Sequence, residues 1–429
     1  MKGKGSAVTD LAKSTSVHTS GNILNSKLLA SQFSVCGKGH ENDHNSTDAS
    51  ETGRREKLHA KVRYRVCLDC RSRENPIRTS ESYPLPIRIN SQDQFLRFLA
   101  IGLAIVGLSG CSSNPVDTPP PTIPPAQAAV SPPVTGAPAG SVQPLADHAI
   151  AAAFDTKTAS LAVLSPTSDE KSVITVLGDF DGARSVPLPG PATAMTGDDE
   201  GRLYVSTRGG YFRVDVAEDT AALVGVDGQQ DTDFTAITRR EDGRLVLGSA
   251  DGTVFTLSSD TEVGAQLKIF ARVDDLVTQG NTAVVLDRGQ TSVTALSEDG
   301  TEAEHALRAG EGATTMAADE AGRVLVADTR GGQLLVYGLN PLMILRQAYP
   351  VREAPYGLAG SSTLAWVSQT ATNTVVGYDL STGIPVEKVR YRTVQQPNSL
   401  VYDDASGTLY VVSGSGAGVQ VIPGAAVGS

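Results

Sequence analysis

Two sets of polar residues stand at equivalent places in successive stretches of the chain beyond residue 190, and they are its first candidates for chemistry. Thr193, Thr235, Asp274, Thr314, Tyr356 and Asn398 each lie at the start of an alternating apolar run. Asp274 and Asn398, with Asp275 beside them, offer oxygen donors. A metal-dependent lactonase, however, needs about three Asp, Glu, Asn or His ligands converging on one cation. The second set, Arg208, Asp251, Asp287, Arg288, Asp328 and Arg330, adjoins glycines and reads first as turn chemistry with solvated charges. Its arginines run against an acidic background, so the same residues also describe a mixed-charge rim able to recognise a polar small molecule or peptide. Nucleophilic catalysis finds no visible base. Beyond residue 111 the chain has two histidines, His148 and His305, no cysteine and no Gly-x-Ser-x-Gly. No catalytic residue, metal site or cofactor is assigned.

The elements that must position these residues are legible from internal similarity. TAMTGDDEGRLYVSTRGGYFRVDV (193–216), TAITRREDGRLVLGSADGTVFTLS (235–258) and TTMAADEAGRVLVADTRGGQLLVYGL (314–339) are one unit. Gly201, Gly243, Gly322 and Gly407 recur at one or two periods of about 41 residues, and weaker copies begin near residues 150, 275, 356 and 398, which makes seven units. Each unit holds short alternating runs split by Asp/Gly turns, the pattern of a four-stranded antiparallel blade. Seven such units predict an all-β, seven-bladed β-propeller over residues 141–424, followed by a tail at 425–429. The last unit lacks a fourth strand, and Gly140–Leu145 is expected to supply it and close the ring. Trp366 and Tyr410 are expected between blades.

The N-terminal part is a different polymer. Residues 1–110 hold 16 Lys+Arg against 10 Asp+Glu, while residues 111–429 hold 20 against 37. So acidic a folded part argues against nucleic acid as a partner. Cys67-Leu-Asp-Cys70 with Cys36 and His40 could supply four zinc ligands, but a lone CxxC inside the basic run from Arg54 to Arg78 lacks the second pair. Residues 98–110, FLAIGLAIVGLSG, follow Arg97 and are too short to span a bilayer, having instead the length of a signal-peptide core. Leu108-Ser109-Gly110-Cys111 resembles the bacterial lipobox, which implies lipidation of Cys111 and a signal peptide at 96–110. Residues 1–95 are then expected to be disordered or an extension upstream of a true start near Leu96. After Cys111 comes a run with nine prolines in residues 112–140, read as an extended polyproline tether whose removal leaves the fold unchanged.

The units PYGLAG…LAWVSQ…VVGYD and PNSLVYDDASGTLYVVSG…VQVI resemble the NHL and YVTN classes of propeller repeat. Lipobox, tether and propeller together resemble the LppL-like lipoproteins of mycobacteria. The resemblance implies a palmitate-bearing protein on the outer, extracytoplasmic face of the cell membrane and implies nothing catalytic. The expected partners are therefore the membrane, through the lipid on Cys111, and an unknown small molecule or envelope protein, with the chain a monomer. Binding or scaffolding is the favoured role; a lactonase-type hydrolase is the alternative.

Overall fold

The computed structural model describes residues 120–427 apart from 146 and 179–181. Cys36, His40, Cys67, Cys70, Cys111 and the segment expected to be a signal peptide lie outside the described residues. The described chain forms seven sheets of four antiparallel strands each, and no α-helix occurs among these residues. The inner strands are β2 (Ala151–Asp155), β6 (Met195–Gly197), β10 (Phe234–Arg239), β14 (Asp275–Gln279), β18 (Ala313–Ala318), β22 (Pro355–Gly360) and β26 (Pro397–Asp403). Each neighbours the next, and β26 neighbours β2, so they form a closed circle around a central channel. This is a seven-bladed β-propeller.

Alternating apolar residues let each blade bury both faces, because successive side chains of a strand point to opposite sides of the sheet. Seven hydrophobic clusters result, one between each pair of neighbouring blades. Trp366, fully buried, stacks on Tyr402 between blades six and seven, with ring centroids 5.5 Å apart. Tyr410 stacks on Phe154 at 5.6 Å where blade seven meets blade one. The recurring glycines have a backbone reason: Gly201, Gly243, Gly322 and Gly407 all take positive φ, between 69° and 95°, in the turn leaving an inner strand.

The ring closes as the missing strand foretold. Strand β1 (Ser141–Gln143) pairs antiparallel with β28 (Val419–Ile422), Ser141 opposite Val421 and Gln143 opposite Val419. Two boundaries need correction. Residues 425–427 form a 3-10 turn in which Ala425 is fully buried, and the Tyr391 hydroxyl donates to its carbonyl at 2.9 Å. Ala425 belongs to the core between blades six and seven, with Ala426 packed against it, while Val427 is exposed. The larger correction concerns the proline-rich run. From about Thr122 onward it is laid against the propeller, with Ala126 6% and Ser131 4% exposed. Proline density does rule out a ladder within the run, but it leaves the backbone carbonyls free to be met by side chains of another surface.

Candidate functional site: the channel mouth

The end of the channel at which the chain enters each inner strand is its mouth. Four inner strands carry a β-bulge there. Against their neighbours, Phe234 pairs with Ser249 and Ala236 with Gly248, leaving Thr235 extra. Thr314 is extra in β18 and Asn398 in β26, and Tyr356-Gly357 oppose Ser368 alone in β22. A bulge bends its strand and re-aims the inserted residue, and bulges concentrate beside functional sites. The spacing of the units placed these residues at one level; the bulge itself has no sequence signature here.

All six residues expected at the inner ring line one cavity of about 500 Å³ in the channel. They are not equivalent in chemistry. Thr193 Oγ1 donates to the Phe234 carbonyl at 2.8 Å, and Thr235 Oγ1 to the Val273 carbonyl at 2.5 Å, so these hydroxyls stitch one blade to the next. Thr314 Oγ1 lies 2.6 Å from Thr329 Oγ1. The more reactive polarity is concentrated in Asp274, Asp275, Arg288, Tyr356 and Asn398. Asp274 accepts the Arg288 amide at 2.8 Å and pairs with Arg272 Nε at 3.2 Å. Asp275 accepts the amides of Leu276 at 2.9 Å and Met316 at 3.1 Å. Burial pushes the Asp275 carboxyl up to about 6, with Asp274 adding like charge. Burial likewise raises Asp274 and the Tyr356 phenol, the nearby Arg288 opposing it at both.

The loop residues separate into three kinds. Arg288 alone of them lines the cavity, and its Nε is buried without a hydrogen-bond partner. Arg208 is exposed on blade two, 3.3 Å from Asp231 and 3.7 Å from Asp233. Asp287 and Asp328, expected as solvated rim charges, are both fully buried, which corrects that reading. The Asp287 carboxylate accepts the amides of Ala271 at 2.7 Å and Gln290 at 2.9 Å, and that of Asp328 the amides of Gly312 at 2.8 Å and Gly331 at 3.0 Å. Each carboxylate thus ties the loop entering its blade to the turn between the second and third strands. The physical reason is that a buried amide must find an acceptor, and a short carboxylate in the turn is the nearest one. Arg330 stays exposed and donates to the Glu311 carbonyl at 3.0 Å and to the Pro124 carbonyl of the docked proline-rich run, a strap across these loops, at 2.7 Å. His148 is exposed, and His305 is half-buried on the outer strand β17 (Ala303–Arg308).

Both Asp275 carboxylate oxygens are held by backbone amides, and those of Asp274 by the Arg288 amide and Arg272. Among the described residues no group of three or more His, Cys, Asp or Glu side chains is placed to hold a metal ion.

With this geometry in hand, comparison places the chain in the structural class of β-propellers. It superposes on virginiamycin B lyase from Staphylococcus aureus with a TM-score of 0.53 at 11% identity, covering 64% of this chain and 94% of that one. A catalytically inactive form of that lyase, crystallised with quinupristin, gives 0.54 at 10% identity over 66% and 97%. The extracellular domain of a one-component system from B. thetaiotaomicron gives 0.50 at 14% over 67% and 42%. At such identities the likeness is one of fold. No protein-family model matches the chain, and no curated protein matches it.

Proposed function

We propose that this chain is a cell-envelope lipoprotein whose propeller is a binding module, taking a small polar ligand into the mouth of its channel. The observation that carries the reading is the unequal wall of the cavity. One arc of it sets a titratable carboxyl, an arginine with an unused Nε, a phenol and an amide around about 500 Å³. A ligand bearing both a hydrogen-bond donor and an acceptor, such as an amino acid, a short peptide or a sugar, complements that arc. A lactonase-type hydrolysis would need Asp274, Asp275 and Asn398 as its oxygen donors, and both carboxylates are already engaged, Asp275 by the amides of Leu276 and Met316 and Asp274 by Arg272 and the Arg288 amide, so binding is the better reading. The anchor rests on the order of arginine, apolar run, lipobox and proline-rich run in residues 97–140, and on the likeness of that order to LppL-like lipoproteins.

Each half has its own test. A thermal-shift panel of amino acids, di- and tripeptides and monosaccharides should contain stabilising ligands, since a ligand at 100 times its Kd adds about 2.7 kcal/mol. Tyr356→Phe and Asn398→Ala, which touch the cavity wall, should remove the shift; a shift unchanged in both would move the site elsewhere. For the anchor, Cys111→Ser should abolish metabolic palmitate labelling. Labelling that survives the substitution would refute lipidation at Cys111.

A further inference from the structure

The proline-rich strap is held in the way a peptide-binding surface holds a peptide. Its amides and carbonyls meet loop groups of four blades, residues 123–126 on blades four and five and residues 129–132 on blades six and seven. The Ile123 amide donates to the Gly289 carbonyl at 2.8 Å, and Arg330 Nη2 donates to the Pro124 carbonyl at 2.7 Å. Arg288 donates to the Ala126 carbonyl. Gln396 then grips two strap residues at once. Its Nε2 donates to the Ala129 carbonyl at 2.9 Å, while its Oε1 accepts the Ser131 amide at 3.0 Å. The Ser131 hydroxyl donates to the Thr370 carbonyl at 2.6 Å, and Asn373 Nδ2 donates to the Pro132 carbonyl at 2.7 Å.

No strap residue from 122 to 133 belongs to a strand, so this is recognition by side chains rather than sheet extension. It also reads residue size at two places. Ala126 and Ser131 are buried while Val130 between them is 91% exposed. At the first place a Cβ added to Gly312 would come within 2.9 Å of the Ala126 Cβ and 2.8 Å of the Arg330 Cβ, so the buried Ala126 methyl is seated where only a glycine opposite leaves room for it. An extended proline-spaced chain presents just this alternation of free carbonyls and small side chains, and it loses little entropy on binding because it is already stiff.

We infer that the arc of rim from blade four to blade seven is a recognition groove for extended, proline-spaced peptides with small residues five positions apart, and that residues 122–132 are its resident ligand. An external segment of that kind, on a partner protein of the envelope, competes with the strap for the groove. The groove adjoins the channel cavity at Arg288, which lines the cavity and also donates to the Ala126 carbonyl, but the cavity wall includes no strap residue, so peptide binding in the groove and small-ligand binding in the channel are read by different probes.

The test uses the full chain with Ala126→Trp and Ser131→Trp together, which evicts the strap, and a fluorescent synthetic peptide of residues 121–134. Saturable binding to the evicted variant is expected. Binding to the wild-type chain should be at least about a hundredfold weaker, because the tethered strap competes at an effective concentration in the millimolar range. A peptide carrying tryptophan at the position of Ala126 should not bind. On the wild-type chain itself, millimolar peptide should speed hydrogen exchange at the amides of Ile123, Ala129 and Ser131. Absence of saturable binding to a folded variant, equal binding to both chains, or strap exchange unmoved by peptide would each overturn the inference.

Discussion

Blades two and five present the same turn chemistry to the same end of the channel, yet they use it differently. Arg208 of blade two points at Asp231 and Asp233 with 60% of its side chain in water. Arg330 of blade five reaches a strap carbonyl, and Arg288 of blade four does the same from the channel wall. On the first side the arginine is a solvated surface pair, a kind that contributes about 0–1 kcal/mol. On the second the guanidinium satisfies a carbonyl that proline chemistry leaves open. The difference teaches that an arginine-glycine turn is a socket whose meaning depends on what is laid across it. The strapped half also holds the titrating part of the channel wall, whereas blades two and three contribute the neutral Thr193 and Thr235 there.

The comparison breaks most severely if β1 is lost. Deleting residues 137–145 strips the outer strand from blade seven, leaves the β28 edge unpaired and removes the buried Leu145. At about 1 kcal/mol per ladder hydrogen bond plus the leucine, roughly 4–5 kcal/mol should go, lowering the melting temperature by about 10 °C or more and promoting aggregation. Calorimetry and light scattering read both effects.

The titrating wall comes next. Because the folded Asp275 carboxyl is raised to about 6, above its unfolded value near 3.8, its favourable contribution is present at low pH and is lost as pH rises through 6. Asp275→Asn should therefore gain on the wild type by up to about 3 kcal/mol between pH 3.5 and pH 8, measured by urea unfolding across that range. Thr235→Val, on the neutral side, should show a pH-independent cost.

Removing the strap alone, residues 120–135, should cost about 2 kcal/mol, since its hydrogen bonds of about 1 kcal/mol each are largely offset by the entropy of ordering it. A deletion with no change in melting temperature would return the run to the status of a free tether.

The smallest effect sharpens the contrast most. Arg288→Ala should cost about 1–2 kcal/mol, by leaving the Ala126 carbonyl without its side-chain donor and taking away a positive charge beside the Asp274 carboxylate, which keeps the residue's backbone amide, while Arg208→Ala should stay within about 0.5 kcal/mol. Equal costs would erase the distinction between the two halves.

The fold was legible because a propeller is a repeat: the Gly201, Gly243, Gly322 and Gly407 spacing and the alternating runs are local signals, and the incomplete last unit pointed directly to Gly140–Leu145. The level of the inner ring was legible for the same reason. What escaped was whatever depends on partners distant in sequence. Nothing near Thr235 or Asn398 announces a bulge, because a bulge is a mismatch between two strands. Asp287 and Asp328 look like turn carboxylates, and only the loop packed beneath shows that their oxygens meet buried amides. The strap was misread because its composition excludes regular structure, and that property says nothing about docking: Ala126 and Ser131 are bound through residues 288 to 396, some 160 to 265 positions away.

The pairing of Ser141 with Val421 also sets the order in which the molecule can be built. Blades one to six are sealed by contacts within a few tens of residues, whereas the seventh must recruit a strand from the far end of the folded region. Closing a loop of this length carries a large entropic penalty that is recovered only when the final contacts form, so such steps are slow. During that interval the molecule is a nearly finished ring with one open edge, the state most prone to pairing with a neighbour. Assembly of this protein is therefore governed by a single late event, and refolding should show one dominant slow phase that substitutions at Val142 or Gln420 change more than equivalent substitutions within blade three.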